Sequence, residues 1–314
     1  MWKYKSSLGF ADGYQPVMLG EGATPLIWVN KLDRKIGLKL ESQNPTGSYK
    51  DRGSAALVNY LAWRGITKTV EDSSGNAGAS FAAYAARAGI SAHIYIPANT
   101  RGPKREQIAM FGAHIVEVAG PRSAAAKAVI EAARDEVAYA SHAYLPFGLP
   151  GIATIAYEIW QTCEGVGSIV APVGHGGLLY GIIKGFEALE AGKYIQRSPY
   201  MVGVQAQACS PAVAMYYGGE PGAEESCLQT TVADGVRIVN PTRARKIIEW
   251  MGRDRGHFVA VKEADIHKAL SELSHMGVYI EPTAALAWAA LGELIGKIPE
   301  PIMLILSGSG LKYH

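Results

Sequence analysis

The sequence predicts an α/β protein that consists of two three-layer αβα domains with mostly parallel sheets. Short runs rich in valine, isoleucine and leucine alternate with longer runs rich in alanine. This alternation is typical of parallel strands joined by helices that cover both faces of a sheet. The length of 314 residues corresponds to about two typical domains, and hydrophobic residues make up 48% of the sequence. This composition provides enough apolar material for a sizeable core.

The short apolar runs are predicted to be strands, because a strand buried on both faces has no polar side. They are Gly37–Glu41, Lys68–Asp72, Ala92–Ile96, His114–Val118, Ser168–Val173, Met201–Gln205, His257–Val261 and Ile302–Leu306. The predicted helices are Ala79–Ala88, Ser123–Glu136, Thr154–Cys163, Leu178–Leu189, Glu263–Met276 and Thr283–Ile295. Ser123 is the expected N-cap of its helix, and Gly89 is expected to end another.

We expect two domains. The smaller domain is expected to span residues 44–139, and the larger domain residues 1–43 together with 140–314. The Gly/Pro-rich stretch Tyr144–Gly151 is predicted to cross between domains or to cover a cleft. The segment Ser210–Asp234 has few periodic apolar positions and is expected to be a long loop.

The charge balance argues against several classes of partner. The chain contains 30 basic and 28 acidic residues, which gives a formal net charge of +2. So small an imbalance is not typical of a dedicated nucleic-acid binder. The most apolar long run, Thr283–Leu306, contains Glu293, Lys297 and Glu300, and Met1–Phe10 lacks the apolar core of a signal peptide. We therefore expect a soluble protein with no nucleic-acid or membrane partner.

The cysteine usage favours a reducing compartment. The three cysteines, Cys163, Cys209 and Cys227, are odd in number and form no CxxC pair. We therefore expect no disulfide framework, no zinc site and a cytoplasmic location. The histidines show no metal-ligand spacing, so no metal site is predicted.

A glycine-rich loop, Gly174-His175-Gly176-Gly177, follows the predicted strand Ser168–Val173, and a helix is predicted to begin at Leu178. In open α/β sheets, ligands bind where strands end and helices begin. The glycines allow a ligand to approach the backbone N–H groups at the helix start, which suits an anion such as phosphate. The alternative is an ordinary tight turn that requires small residues. The loop is neither a Walker A loop nor a GxGxxG fingerprint.

Two other junctions carry hydroxyl groups. The segment Ser73-Ser74-Gly75-Asn76-Ala77-Gly78 follows the predicted strand Lys68–Asp72. Its hydroxyl and N–H groups suit either a bound carboxylate or phosphate, or an ordinary helix N-cap. Ser307 follows the C-terminal strand, where its hydroxyl suits a heteroaromatic nitrogen or belongs to a plain glycine turn.

Lys50 is the candidate reactive amine. A turn at Asn44–Gly47 places it at the start of a predicted helix. A cationic amine at the positive end of a helix is electrostatically disfavoured, which suits an amine that forms a Schiff base. The alternative is a solvent-exposed lysine with no special role.

A series of short motifs covers nearly the whole chain. The motifs are Gly20–Leu26 (GEGATPL), Asn44–Gly53 (NPTGSYKDRG), Ser73–Ser80 (SSGNAGAS), Arg237–Pro241 (RIVNP), Glu281-Pro282 and Leu306–Lys312 (LSGSGLK). In this order they resemble the fold-type II pyridoxal-phosphate enzymes, the group of the tryptophan synthase β-subunit. Within that group the chain is most similar to the threonine synthases.

The resemblance implies pyridoxal 5′-phosphate as the cofactor, bound between two domains of a homodimeric enzyme. It implies that Lys50 forms the Schiff base with the cofactor and later transfers protons, with Tyr49 against the cofactor ring. Asn76 would hydrogen-bond the cofactor's 3′-oxygen, and Ser307 would face the pyridine nitrogen. The remaining implied roles concern two loops: the cofactor phosphate would be held by Gly174, His175, Gly176, Gly177 and Leu178, and the substrate carboxylate by Ser73, Ser74, Gly75 and Ala77.

Some residues depart from the threonine synthase pattern. Tyr49 stands where phenylalanine is usual, and Ala77 and Gly78 stand where hydroxyl residues are common. The segment Leu145–Ile152 carries no charge where that family usually has an arginine. The remaining departures are His175 and Gly177 in the phosphate loop, and Ser309 and Tyr313 near the C-terminus. The missing groups are those that would bind the phosphate of O-phosphohomoserine, because a dianion without cationic partners in a closed cleft is costly.

Three functions are compatible with these residues. The resemblance implies a lyase that converts O-phosphohomoserine and water to threonine and phosphate. The uncharged Leu145–Ile152 segment favours the alternative of a dehydratase or β-replacement enzyme that acts on serine, threonine or a related hydroxy amino acid. The third possibility is a non-catalytic protein that binds a phosphate ligand; the presence of Lys50 and Asn76 argues against it.

Overall fold

The computed structural model describes residues 1–11, 13–133, 137–163, 165–219, 227 and 230–313. Within these residues the strands are β1 Leu26–Lys31, β2 Arg34–Lys39, β3 Lys68–Glu71, β4 Ser91–Pro97, β5 His114–Val118, β6 Ala138–Tyr139, β7 Ser168–Pro172, β8 Tyr200–Ala206, β9 Gly256–Val261 and β10 Ile302–Ile305. The helices are α1 Lys50–Trp63, α2 Asn76–Ala88, α3 Pro103–Met110, α4 Arg122–Ala132, α5 Leu149–Thr162, α6 Gly177–Ala191, α7 Pro211–Tyr216, α8 Ala244–Met251, α9 Glu263–His275, α10 Pro282–Ala289 and α11 Leu291–Leu294.

The chain divides into two compact units. The first consists of Met1–Gly22, Asn44–Gly151 and Lys312–His314, and the second of Ala23–Gln43 and Ile152–Leu311. The first unit therefore includes the N-terminal residues, which the sequence-based boundaries placed in the larger domain. Packing explains this difference, because Met1 and Leu8 are buried in the same apolar cluster as α1 and α2.

The first unit contains a parallel sheet in the order β5-β4-β3-β6. Its core includes Val58 and Leu61 of α1, Phe81 of α2 and Ile94 of β4. Strands of one direction end at the same edge of a sheet, so the loop after β3 lies at the edge where ligands bind in such folds. The glycine Gly89 ends α2 in the left-handed conformation, with φ of 69°, as predicted.

The second unit contains a six-stranded sheet in the order β1-β2-β10-β7-β8-β9. Only β1 is antiparallel to its neighbour; β2, β10, β7, β8 and β9 run in one direction. The strands β7 and β10 are adjacent, in a register that pairs Ile302 with Ser168 and Leu304 with Val170. The carboxyl ends of β7 and β10 therefore lie side by side within this unit.

The predicted fold class is confirmed, and every predicted strand is present; β5 has the predicted bounds and the others have shifted ends. The helix expected at Thr283–Ile295 is divided at Ala290 into α10 and α11. Ser123 is not an N-cap, because α4 begins at Arg122 and Pro121 holds the cap position. The end of that predicted helix, residues 134–136, lies outside the described residues.

Two segments expected to be irregular contain helices. The helix α5 begins at Leu149, so only the first part of Tyr144–Gly151 is a loop. The segment Ser210–Asp234 contains α7, and its residues 220–226 and 228–229 lie outside the described residues.

The cysteine expectation was wrong in one respect. Cys209 and Cys227 form a disulfide across a sequence separation of 18, and Cys163 is not disulfide-bonded. A disulfide depends on the distance between two cysteines in space, which spacing within an irregular segment does not reveal. In the described parts of the chain, no helix is long and apolar enough to cross a membrane, and no cluster of metal-ligand side chains occurs.

Candidate active site

Lys50 lies at the first position of α1, as the sequence predicts. The preceding turn closes with a 2.7 Å hydrogen bond from the N–H of Gly47 to the carbonyl oxygen of Asn44. The buried carboxylate of Asp51 fixes this turn, because it accepts hydrogen bonds from the N–H of Thr46 at 2.6 Å and from the Thr46 hydroxyl at 2.5 Å. A carboxylate in the first turn also complements the positive end of the helix.

The Lys50 side chain is half-buried, and its Nζ lies 5.0 Å from the centre of the Tyr49 ring. Tyr49 holds the N-cap position of α1 and is half-buried. Lys50 is therefore not fully exposed to solvent, and its role stays a prediction.

The loop between β3 and α2 contains the predicted asparagine motif. Asn76 is the first residue of α2, and Gly75 holds the N-cap position. The Ser73 hydroxyl accepts a 3.3 Å hydrogen bond from the N–H of Gly75. Gly78 is required at its position, because a Cβ there would lie 1.8 Å from the carbonyl oxygen of Ser73. This steric restriction explains why Gly78 departs from the threonine synthase pattern.

Lys50 and the asparagine loop lie at the same end of the first unit. Burial raises the pKa of Asp51, the residue after Lys50, and the nearby Ser80 side chain on α2 acts in the opposite direction. Burial raises the pKa of Glu71, the last residue of β3, and the positive charge of Lys50 partly opposes that shift. The first unit therefore brings the amine and the loop together.

Glu71 was not singled out from the sequence. Burial raises the pKa of its carboxyl to about 7. Its Oε1 lies 2.5 Å from His142 Nδ1, and its Oε2 is buried with no hydrogen-bond partner among the described residues. The signal that could have identified it is a carboxylate at the end of an apolar strand, directly before a ligand-binding loop.

The glycine-rich loop belongs to the second unit. It connects β7 to α6, and Gly176 adopts a left-handed conformation with φ of 89° at the N-cap of α6. A Cβ on Gly174 would lie 3.1 Å from the carbonyl oxygen of Gly235, and one on Gly176 would lie 2.9 Å from Ile247 Cδ1. The start of α6 leaves backbone N–H groups that have no partner within the helix, as an anion site requires.

His175 and Leu178 have different environments in this loop. Leu178 is buried, so only its backbone N–H is suited to a ligand. His175 is half-buried, and its Nδ1 lies 3.4 Å from the hydroxyl oxygen of Thr242. The imidazole is therefore directed, at least in part, toward the segment that precedes α8.

Ser307 follows β10 and thus lies near the glycine loop, since β10 and β7 are neighbours in one sheet. Its side chain is buried, and its hydroxyl has no hydrogen-bond partner among the residues that the structure describes. A buried hydroxyl without a partner costs free energy unless a ligand supplies one.

These groups fit pyridoxal phosphate. The second unit offers a helix N-terminus for a phosphate and an unpartnered buried hydroxyl for a ring nitrogen. The first unit offers an amine and a loop of hydroxyl and N–H groups. Within each unit, considered by itself, the structure places the predicted site residues near one another.

The comparisons with known proteins agree with this chemistry. Residues 17–308 match the family model described as pyridoxal-phosphate dependent enzyme. A threonine synthase from Methanocaldococcus jannaschii is 33% identical, covering 99% of this chain and 80% of the relative. A threonine synthase from Mycobacterium leprae is 32% identical, covering 98% of this chain and 87% of the relative.

Solved structures show the same fold. A threonine deaminase from T.th. superimposes with a TM-score of 0.76 at 26% identity, covering 91% of this chain and 92% of that one. The serine racemase of maize gives a TM-score of 0.78 at 21% identity, covering 92% of this chain and 89% of that one.

The chain belongs to the pyridoxal-phosphate-dependent enzyme family. Its cofactor is pyridoxal phosphate, and the prediction of a pyridoxal-phosphate-dependent lyase of fold type II is confirmed. The non-catalytic alternative is not supported.

Proposed function

We propose that this protein is a threonine synthase-like lyase that converts O-phosphohomoserine and water to threonine and phosphate. The observation that carries the proposal is a half-buried amine, Lys50, beside the asparagine loop in a chain whose curated relatives are named threonine synthases. The substrate would be an amino acid of low molecular weight.

The amine and the ring contacts define the proposed catalytic centre. Pyridoxal phosphate, when bound, supplies an electron sink for negative charge that develops at substrate carbon atoms. Lys50 Nζ would remove and return protons there, with the Tyr49 ring beside it. Asn76 would orient the cofactor through its 3′-oxygen. The neutral hydroxyl of Ser307 would leave the pyridine nitrogen unprotonated, which favours elimination.

Each of the two loops would bind one anionic group, the cofactor phosphate or the substrate carboxylate. The N–H groups of Gly174, His175, Gly176, Gly177 and Leu178 would hold the cofactor phosphate. Ser73, Ser74, Gly75 and Ala77 would donate hydrogen bonds to the substrate carboxylate at the N-terminus of α2. Each loop therefore binds an anion at the positive end of a helix.

The second candidate is a dehydratase or β-replacement enzyme that acts on serine, threonine or a related hydroxy amino acid. The uncharged segment before α5 favours it, because no cation there is available for a substrate phosphate. Packing explains the composition of this segment. Phe147 stacks on Tyr60 of α1 at 3.8 Å, and a Cβ on Gly148 would lie 3.1 Å from the carbonyl oxygen of Gly53. The segment therefore supports the helix that begins at Lys50.

The proposal also includes a homodimer, which the family resemblance implies, and a cytoplasmic location. Size-exclusion chromatography with light scattering tests the dimer. A mass of one chain would contradict it.

The function is tested by parallel incubations of the purified holoenzyme with O-phosphohomoserine, L-threonine and L-serine. We expect release of inorganic phosphate and formation of threonine only from O-phosphohomoserine. In ¹⁸O-labelled water the label should enter the threonine hydroxyl and not the phosphate, because elimination breaks the carbon–oxygen bond. A Lys50→Ala variant is the matched control for uncatalysed release. Formation of a 2-oxo acid and ammonia from threonine or serine, without reaction of O-phosphohomoserine, would establish the second candidate instead.

A further inference from the structure

Arg243 lies directly against the glycine-rich loop within the second unit. It occupies the N-cap position of α8, and its backbone N–H donates a 3.0 Å hydrogen bond to the carbonyl oxygen of His175. The neighbouring Thr242 hydroxyl lies 3.4 Å from the same carbonyl oxygen. The segment before α8 is thus fixed to the loop by main-chain and side-chain contacts.

The Arg243 side chain extends along the two glycines that begin α6. Its Cβ lies 3.1 Å from the position that a Cβ on Gly176 would take. Its Nη1 is the nearest atom to the position of a Cβ on Gly177, at 3.9 Å. One end of the guanidinium therefore lies next to the backbone that the cofactor phosphate would approach.

Arg243 carries a permanent charge in a buried position beside the loop. The side chain is 7% exposed, although an arginine cannot lose its charge in a protein. Its planar fork matches the oxygen atoms of a phosphate in a bidentate arrangement, which a backbone N–H cannot provide.

We infer that the guanidinium of Arg243 binds the phosphate group of pyridoxal phosphate at the Gly174–Gly177 loop. This inference rests on the proposed role of that loop. The loop N–H groups supply hydrogen bonds and a partial positive charge, and Arg243 adds a full charge that keeps the phosphate dianionic. Arg243 is thus a cofactor-binding residue that sequence motifs do not indicate, since it follows the matched segment Arg237–Pro241 by two positions.

The experiment compares Arg243→Gln and Arg243→Lys with the control Arg245→Gln, which removes an exposed arginine two residues further along α8. The dissociation constant of pyridoxal phosphate is measured by dilution of each holoenzyme and determination of free cofactor. We expect Arg243→Gln to weaken binding about 10- to 100-fold, as for loss of a hydrogen bond to a charged group. Arg243→Lys should weaken it less, and Arg245→Gln should stay within about twofold of the original protein.

A second measurement separates binding from structural support. The ³¹P resonance of the bound cofactor is followed from about pH 5 to about pH 9, a range that includes the second pKa of a phosphate monoester, about 6. The resonance should stay constant in the original protein and in Arg245→Gln, and should move with pH in Arg243→Gln. If Arg243→Gln does not fold, Arg243→Lys decides the question. Lysine keeps a point charge but lacks the planar fork, so this variant should still bind the cofactor more weakly than the original protein and show a ³¹P resonance that moves with pH.

Unchanged affinity together with an unchanged resonance in the Arg243 variants would overturn the inference. So would a loss of affinity equal to that caused by Arg245→Gln. Failure of the proposed function gives a different result: the original protein would then release no phosphate from O-phosphohomoserine, whatever the state of Arg243.

Discussion

Glu71 Oε1 lies 2.5 Å from His142 Nδ1 in the unit that carries Lys50. The carboxyl group is fully buried at the end of β3, and burial raises its pKa to about 7, against the opposing positive charges of Arg122 and Lys50. Burial also raises the pKa of Asp72, the next residue, and the charge of Glu71 acts in the same direction. A proton is therefore held at the entrance to the asparagine loop near neutral pH.

The first prediction concerns the pH dependence of stability. In the unfolded chain the Glu71 carboxyl titrates near its ordinary value of 4.5, and in the folded chain near 7. The folded state therefore binds this proton more tightly, so its stabilising contribution is complete below about pH 4.5 and is lost as the pH rises through about 7. Glu71→Gln should remove this contribution and flatten the fall in the free energy of unfolding across that window.

Urea unfolding at a series of pH values measures this slope. The matched control is Glu117→Gln, which changes an exposed glutamate on β5 of the same unit. The charged and titratable groups that face Glu71 are His142, Asp72, Arg122 and Lys50, and all of them remain in both variants. Equal slopes in Glu71→Gln and in the original protein would show that the carboxyl is not the group responsible.

The sequence allowed prediction of the features that short-range rules determine. The parallel strands were predictable because continuous apolar runs such as Ser168–Pro172 have only one compatible environment. The turn before Lys50 and the cap at Gly89 were predictable because local backbone geometry requires those residues. By contrast, the short strand β6 has too few residues to produce a periodic signal.

The features that depend on distant contacts were not predictable. Arg243 approaches the glycine loop only because α8 packs beside α6, and no spacing in the sequence records that contact. The disulfide between Cys209 and Cys227 has the same origin. The candidate roles of the two loops came from their motifs, and they remain predictions until the cofactor contacts are measured.

The second prediction concerns a buried ion pair in the other unit. Lys39 Nζ lies 2.7 Å from Glu158 Oε2, and both side chains are almost completely buried. The same amine donates a 2.6 Å hydrogen bond to the carbonyl oxygen of Thr24. Lys39→Met removes the cation that pairs with the buried carboxylate of Glu158 and should destabilise the protein by about 3 to 5 kcal/mol. The double variant Lys39→Met/Glu158→Met should recover part of that loss.

The control for this pair is Lys184–Glu187, which has the same 2.7 Å separation on the surface of α6. Lys184→Met should change the free energy of unfolding by less than about 1 kcal/mol, because solvent screens exposed charges. Denaturant unfolding of the variants provides the comparison. A similar loss in both single variants would mean that burial does not determine the strength of these pairs.

The third prediction concerns Gly78. Alanine is favoured over glycine inside helices by about 1 kcal/mol, so Gly78→Ala would stabilise an unobstructed helix. Here the new Cβ would lie 1.8 Å from the carbonyl oxygen of Ser73, and the loop must move to accept it. We therefore expect a lower melting temperature and weaker cofactor binding. Gly292→Ala is the control, because nothing lies within 4 Å of its Cβ position; it should be neutral or stabilising.

The fourth prediction concerns the reactive amine. Borohydride should attach the cofactor irreversibly to Lys50, and mass spectrometry of the digested protein should place it on the peptide that contains Asn44–Gly53. The Lys50→Ala variant should carry no such attachment, whereas Lys127→Ala, which removes an exposed lysine on α4, should be labelled as the original protein is. Attachment at another lysine would remove Lys50 from the proposed centre.

The fifth prediction concerns Ser307. Its buried hydroxyl has no partner among the described residues, so Ser307→Ala should cost little folding free energy in the protein without cofactor. It should weaken cofactor binding about 2- to 10-fold, the value of one neutral hydrogen bond, because the pyridine nitrogen would lose its donor. Ser168→Ala is the matched control: that hydroxyl is also buried but donates a 2.6 Å hydrogen bond to the carbonyl oxygen of Pro299. Ser168→Ala should therefore lower stability and leave the cofactor affinity unchanged, and the reverse pattern would place the cofactor ring away from Ser307.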